Sequence, residues 1–235
     1  MNHPDLVERV VAAQPYPLLF ATISGAHLYG FESPDSDYDI RGCHVLPTRE
    51  VLGLNRGPET IDQSGFREGV ELDIVRHDAE KFFRMMLKKN GYVLEQIFSP
   101  LVLRGGEDHE RLKDIARRCI TRHHAHHYLG FARNQWDLFA KEDPPRVKPL
   151  LYLYRVILTG IHLLKTGEVE ANLTVLNEHF GLSHIPDLVA MKREGREKQT
   201  MPRADLDFHR REHERLVRLL EEARDASELP ESPSA

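Results

Sequence analysis

The sequence predicts an α+β fold, with a strand-bearing N-terminal half followed by a helical half. Short apolar runs, several of them alternating with period two, occupy the first 106 residues. From about Glu107 onward the apolar period becomes helical. Turn-forming Gly, Pro, Asn and Asp concentrate in the first half, above all between Gly53 and Gly69. Strands first and helices afterwards is the pattern of an α+β chain. The expected organisation is a strand-bearing domain over residues 1–106, a helical subdomain over 107–226 and a disordered tail over 227–235.

Residues 4–13 read as a short amphipathic helix, with Leu6, Val7, Val10 and Val11 on one stripe. Leu18 to Ser24 reads as a buried strand, Gly25 to Gly30 as a tight turn, and Tyr38 to Leu46 as a second strand stopped by Pro47. A hairpin is expected between Gly53 and Gly69, with Thr60 to Gln63 in one arm. Val70 to Arg76 alternates, so Val70, Leu72 and Ile74 face one way while Glu71, Asp73 and Val75 face the other. A helix over about 78–89 breaks at Asn90-Gly91 and restarts at Tyr92 to Phe98. Further helices are expected near 108–119, 122–142, 146–166, 172–180 and 205–225. The tail, with Glu, Ser and two prolines, has the composition of a disordered segment.

The 235 residues are 40% apolar and 29% charged, which suits a chain with a sizeable core. There is no run of about 18 apolar residues, so no membrane span is expected. The N-terminus is too acidic and polar for a signal peptide, and the expected location is the cytoplasm. Two cysteines, Cys43 and Cys119, exclude a disulfide framework and a four-cysteine zinc site. A net charge of −5 argues against a surface that coats nucleic acid, although a local basic groove remains compatible with it.

The chemistry concentrates between Ser24 and Gly42. Asp37 and Asp39 are two residues apart and share one side of an extended backbone. Like charges so placed repel unless a cation sits between them, and a pair of divalent ions is the usual occupant. Asp73 offers a third carboxylate on a neighbouring strand, which suits a two-metal site for in-line phosphoryl displacement. The Gly25 to Gly30 turn would let backbone N–H groups approach phosphates closely. Three other readings compete. An EF-hand starting at Asp35 fails at Ile40 and Leu46, where glycine and glutamate are required. A P-loop fails because Phe31-Glu32 stands where Lys-Ser/Thr belongs. The acids can also be simple turn residues, as Pro34-Asp35-Ser36 is read.

Gly25-x-x-x-Tyr29-Gly30 followed by Ser33-Pro-Asp-Ser-Asp-Tyr-Asp-Ile-Arg-Gly42 resembles the signature of nucleotidyltransferases of the DNA polymerase β superfamily. The resemblance is strongest to stand-alone bacterial and phage members, some of them associated with RNA-repair genes. It extends through Asp73, Asn90-Gly-Tyr-Val-Leu-Glu-Gln-Ile-Phe-Ser-Pro100, Tyr128, Gly130 and Gln135 to Lys148, Tyr152 and Arg155, roughly residues 18–170. It implies a mixed sheet with flanking helices, a helical C-terminal subdomain, and transfer of a nucleoside monophosphate from an NTP with Mg²⁺ or Mn²⁺. On this resemblance Asp37, Asp39 and Asp73 hold two ions and catalyse the transfer. Ser24, Gly25, Ala26, His27, Tyr29, Gly30, Ser36, Arg41, Lys148 and Arg155 are the nucleotide-binding candidates, ATP being one possible donor. The family has Gly-Ser at the turn, whereas Ala26 follows Gly25 here, so Ser24, His27 or backbone N–H groups must substitute.

Several further residues stand out. His123 and His127 are spaced i, i+4 as in a helical zinc pair, but no third ligand is nearby and a hydrogen-bonded or solvated face is preferred. Lys148 and Arg155 share one helix face among leucines, where a long cation is costly without a partner. Arg41 shares a strand face with Asp37 and Asp39 and can meet a carboxylate or a phosphate. Trp136 and Tyr128 read as core, and Glu71 as an exposed acid near the site. The expected acceptor is an RNA 3′ end. A protein or small-molecule hydroxyl, as in toxin-neutralising adenylyltransferases, and a non-catalytic nucleotide-binding module are the alternatives.

Overall fold

The computed structural model describes residues 4–195, 200–201 and 205–234. Two compact units emerge. A sheet unit comprises residues 4–28 and 37–119, and a helical unit comprises residues 29–36 with the described residues from 120 onward.

In chain order the first elements are α1 (Pro4–Ala12), β1 (Leu18–Ile23), α2 (Gly25–Tyr29), β2 (Tyr38–His44), α3 (Thr48–Leu52), β3 (Thr60–Asp62), β4 (Gly65–Arg67), β5 (Val70–Asp78), α4 (Ala79–Leu87), α5 (Gly91–Phe98), β6 (Val102–Arg104) and α6 (Glu107–Cys119). The strands form one mixed sheet in the order β3-β5-β2-β1-β6, with β4 also paired to β5. The fold is α+β. β2 and β5 run parallel, whereas β1 is antiparallel to both β2 and β6. β3 and β4 are two pieces of one edge that folds back on β5. The fold-back turn uses Glu68 at φ +52 and Gly69 at φ +80. Two consecutive left-handed residues are the geometry that closes a two-residue hairpin.

The sheet is covered on both faces. The stripe Leu6, Val7, Val10 and Val11 of α1 packs against Ala21, Tyr38, Ile40, Leu72 and Ile74. Each such side chain withdrawn from water contributes about 1.5–3 kcal/mol before entropy is counted. On the other face Phe20 meets the Phe82 ring edge-on at 5.3 Å and stacks on His109 at 4.8 Å. His109 lies on α6, and with Leu112 and Ala116 it is buried, so α6 belongs with the sheet rather than with the helices that follow. Two capping side chains set the entry of the covering helices. Asp78 accepts from the Glu80 and Lys81 amides at the start of α4, and Asn90 accepts from the Tyr92 amide at the start of α5.

The helical unit opens with a 3₁₀ turn, Arg122–His124, and continues as α7 (Ala125–Lys141), α8 (Val147–Thr166), α9 (Leu173–Phe180), α10 (Ile185–Glu194) and α11 (Leu206–Ala226). α8 is its core and is apolar nearly all round. By length and composition alone α8 is apolar enough to cross a membrane, and 83% of its most apolar window is buried inside the protein. α8 ends at Gly167, whose φ of +77 lets its amide return to the Leu163 carbonyl at 2.8 Å. After α11 the chain is held against its own unit. The Ser227 hydroxyl donates to the Leu164 carbonyl at 2.7 Å, and the Arg122 amide donates to the Pro230 carbonyl at 3.1 Å. Composition pointed instead to disorder for this tail, of which Ala235 lies outside the described residues. Arg122 also donates through Nη2 to the Arg224 and Asp225 carbonyls, both at 2.8 Å, satisfying the last turn of α11.

The α7–α8 crossing is close at Gly160, where an added Cβ would lie 2.9 Å from Tyr128 Cβ. Gly160→Ala is expected to lower the urea midpoint by the equivalent of about 1–3 kcal/mol despite its better helix propensity. Gly130→Ala on α7, where a Cβ meets nothing within 4 Å, is expected to leave the midpoint unchanged or raise it slightly. Circular dichroism across a urea series reads both.

Candidate active site

The parallel register of β2 and β5 aligns Asp39 directly with Asp73. Side chains paired across neighbouring strands emerge on one face, so two carboxylates are forced together. Arg41, two residues after Asp39 and on the same face, resolves the repulsion. Its Nη2 donates to Asp39 Oδ1 at 2.6 Å and to Asp73 Oδ2 at 2.7 Å. Nη1 donates to the Ile40 carbonyl at 3.1 Å and the Asp73 carbonyl at 2.6 Å, and Nε donates to Tyr92 Oη at 2.8 Å. Those bonds match the five N–H donors of a guanidinium. Arg41 is 9% exposed; burial works against its charge, but the Tyr92 phenol and the Asp39 and Asp73 carboxylates beside it outweigh that and raise its affinity for the proton.

Asp73 has a second donor. Ser64, in the link between β3 and β4, gives its hydroxyl proton to Asp73 Oδ1 at 2.8 Å. Partial burial pushes the Asp73 carboxyl up, but the hydrogen bonds from Arg41 and Ser64 and the Arg41 charge outweigh it and hold the group below the ordinary carboxylate range. Asp73 is therefore ionised at neutral pH. Tyr92 reaches Arg41 because the Asn90 cap starts α5 one residue before it. Burial raises the phenol of Tyr92, against the Arg41 charge and hydrogen bond, which pull it down.

Gly25 packs against the Asp39 carboxylate. At φ +61 it carries no Cβ, and one placed there would lie 1.7 Å from Asp39 Oδ2. The glycine is thus required both by backbone conformation and by the carboxylate packed on it. Ser24 fixes the same junction by donating its amide to the Asp39 carbonyl at 2.8 Å. Ala26 is buried, and His27 lies flat on Tyr38, ring centroids 4.4 Å apart.

The remaining candidates lie in the helical unit. Tyr29 is buried, with the Arg155 guanidinium 4.0 Å above its ring and Tyr152 edge-on at 5.4 Å. Arg155 thus meets an aromatic partner, which answers the cost of burying a cation in α8. Lys148 Nζ stands 5.7 Å from the centre of the Tyr152 ring. Gly30, at φ +79, gives room to Asn172, whose Oδ1 would be 2.4 Å from an added Cβ. Lys192 of α10 is fully buried and donates to Ser33 Oγ at 2.6 Å, while Arg193 donates to the Gly30 carbonyl at 2.8 Å. Ser33 in turn donates to Asp35 Oδ1 at 2.8 Å, and Ser36 Oγ accepts from the Ser33 amide at 2.9 Å. In the histidine run His123 stacks on His126 at 5.9 Å, and His127 rests against Tyr128. Burial, with the Arg155 charge adding to it, brings His127 down to about 4, so it is neutral at pH 7.

Two of the three acids read from the sequence are brought together, and a cation already joins them. Asp37 precedes β2 and is half-buried. Among the described residues no group of three or more His, Cys, Asp or Glu side chains is gathered as a metal-holding cluster. The guanidinium of Arg41 takes the cationic position that the sequence reserved for metal. The donor set is nonetheless one that divalent ions accept: oxygen ligands only, on adjacent parallel strands, with Gly25 leaving Asp39 Oδ2 unobstructed by a Cβ. Sequence reasoning missed Ser64 as a partner of Asp73 and had Tyr92 only within a motif. Both act through contacts that no short-range periodicity encodes.

The profile of a known family, "RlaP: RNA repair pathway DNA polymerase beta family", matches residues 3–235. The chain belongs to this family. The uncharacterized protein MJ0002 of Methanocaldococcus jannaschii is 35% identical over 160 residues, 66% of this chain and 64% of its own length. The chain therefore spans just under two thirds of that relative. The uncharacterized protein YcgL of Bacillus subtilis is 24% identical over 229 residues, covering 94% of this chain and 86% of its own. A crystal structure of a nucleotidyltransferase-like protein from Exiguobacterium sibiricum aligns at a TM-score of 0.36 with 11% identity, over 94% of this chain and 73% of that one.

Arg41→Met would leave Asp39 and Asp73 facing each other without their shared donor. Loss of one partner from a largely buried pair is expected to cost on the order of 3 kcal/mol at neutral pH. A carboxyl with a depressed native pKa contributes stability above its unfolded pKa of about 4 and loses it as pH falls through the native value. The gap between wild type and Arg41→Met is thus expected to be widest at pH 6–7 and to narrow below about pH 4. Thermal midpoints measured from pH 3 to 7 check this.

Proposed function

We propose that the protein is a metal-dependent nucleotidyltransferase that moves an NMP from an NTP to an acceptor hydroxyl, with an RNA 3′ end as the acceptor. The observation that carries the reading is the parallel register that sets Asp39 beside Asp73, in a chain of the polymerase β type. Asp37, Asp39 and Asp73 would hold two Mg²⁺ or Mn²⁺ ions. When bound, such ions neutralise the triphosphate and acidify the attacking hydroxyl.

Asp73, kept ionised by Arg41 and Ser64, accepts the proton of the acceptor hydroxyl as its oxygen attacks the α-phosphorus. The bond to the β-phosphate oxygen breaks in line, and pyrophosphate leaves. Arg41 keeps its place through Tyr92 and two carbonyls even when Nη2 yields the carboxylates to another cation. The turn from Ser24 through Gly25, Ala26 and His27 to Tyr29 and Gly30, with Ser36, forms the donor side by backbone amides. Within the helical unit, Arg155 over Tyr29 and Lys148 beside Tyr152 are the proposed cationic contacts of the nucleotide. The net charge of −5 favours a second reading, transfer to a protein or small-molecule hydroxyl.

Incubation with each α-labelled NTP, Mg²⁺ or Mn²⁺ and total RNA is expected to label RNA. Asp37→Ala, Asp39→Ala and Asp73→Ala are each expected to reduce incorporation on the order of 10³-fold or more. Wild-type turnover in any of the three sinks the assignment of these acids. Labelled protein bands without labelled RNA would transfer the conclusion to the second reading.

A further inference from the structure

One aromatic side chain beside the carboxylates has no part in the reaction so far. Phe66 of β4 is 73% exposed, on the outermost strand of the sheet. Its ladder partner on β5 is Glu71. Opposed residues of an antiparallel pair point to the same side, and residues two apart on a strand share that side. Glu71 and Phe66 therefore stand on the face that carries Asp73. Ser64 reports the same face independently, because its hydroxyl reaches Asp73 Oδ1 at 2.8 Å and it lies two residues before Phe66. Phe66 and Asp73 are diagonal neighbours, a relation that sets Cα atoms roughly 7–8 Å apart.

The backbone that carries the ring is held in the sheet. Gly65 and Arg67 pair with Leu72 and Val70 on either side of it, and the Gln63 amide donates to the Ile74 carbonyl at 2.9 Å. Its neighbours on this face by strand register are Ser64, Glu71 and Asp73, all polar. Edge strands are ordinarily defended with charge. This one presents a flat apolar ring next to a carboxylate.

We infer that Phe66 is a stacking platform for the base of the acceptor's terminal nucleotide, so that the acceptor is a single-stranded nucleic-acid end. This rests on the nucleotidyl-transfer reading of Asp73. A base is neutral and has a π-face, so it is not repelled by Glu71 and Asp73 as a phosphate would be. A base and its own ribose hydroxyl are one sugar apart, so a base resting on Phe66 carries its hydroxyl toward the neighbouring strand position. A serine or threonine acceptor has no flat face to lay on the ring. Stacking of this kind is sequence-tolerant and contributes about 1–3 kcal/mol per base.

The test is equilibrium binding of the full chain to a short labelled single-stranded RNA, compared with the same RNA bearing an abasic 3′-terminal nucleotide. Wild type is expected to prefer the base-bearing end by about 5- to 100-fold. Phe66→Ala is expected to bind both as wild type binds the abasic one, and Phe66→Trp to restore the preference. The proposal is overturned if wild type binds the two RNAs equally, or if Phe66→Ala keeps the preference. It is also overturned if wild type binds neither RNA while labelling a protein from α-labelled ATP, an outcome that leaves nucleotidyl transfer standing. A preference lost in Phe66→Ala without NTP turnover in wild type supports the platform and removes the transfer reading instead.

Discussion

The five hydrogen bonds of Arg41 are the constraint on which the sheet unit depends. A parallel pairing of β2 and β5 that aligns Asp39 with Asp73 is electrostatically unfavourable by itself, and a guanidinium is the one side chain that can donate to both carboxylates and still anchor itself elsewhere. The anchor points come from separate parts of the chain. Tyr92 is delivered by α5, the two carbonyls by β2 and β5 themselves, and Ser64 completes Asp73 from the hairpin. A lysine at position 41 has three donors and no fixed fork, so it could not hold this many partners at once.

That arrangement also gives a physical meaning to the glycine at position 25. Asp39 is held from one side by Arg41 and closed in on the other by a residue without a side chain. The carboxylate is thereby fixed in orientation at the point where the chain turns from β1 into the next segment. In the helical unit the eight residues Tyr29–Ser36 are held by a different set of groups: Arg155 on Tyr29, Asn172 at Gly30, Lys192 on Ser33 and Arg193 on the Gly30 carbonyl. The continuous motif that the sequence presents is therefore served by two sets of supports.

The strands and their faces were legible because period-two alternation is a local property. Alternation alone places Asp39, Arg41 and Asp73 on one face, and helical spacing alone gives the apolar stripe of α1. Ser64 and Tyr92 were not, since a hairpin link and a helix start meet the acids only after the chain has folded. α10 escaped notice because its inward positions include Lys192, which breaks the apolar pattern while being buried against Ser33. β6 and α3 are too short, at three and five residues, to show a period. The tail read as disordered from composition, yet its backbone and Ser227 are hydrogen-bonded to α8 and to the start of the helical unit. A polar composition predicts weak burial, but it cannot foresee capping of carbonyls by neighbouring donors.

The turn at Glu68 and Gly69 has a consequence for which changes the chain can tolerate. Two left-handed residues admit one loop length only, and that length sets the parity of the outer strand against β5. Adding or removing a single residue there would rotate every side chain of the strand to the opposite face. Ser64 would leave Asp73 and Phe66 would turn away with it, although no residue of the site had itself been altered. Point substitutions across this strand can be graded in their effects, but a change in its length is all or nothing.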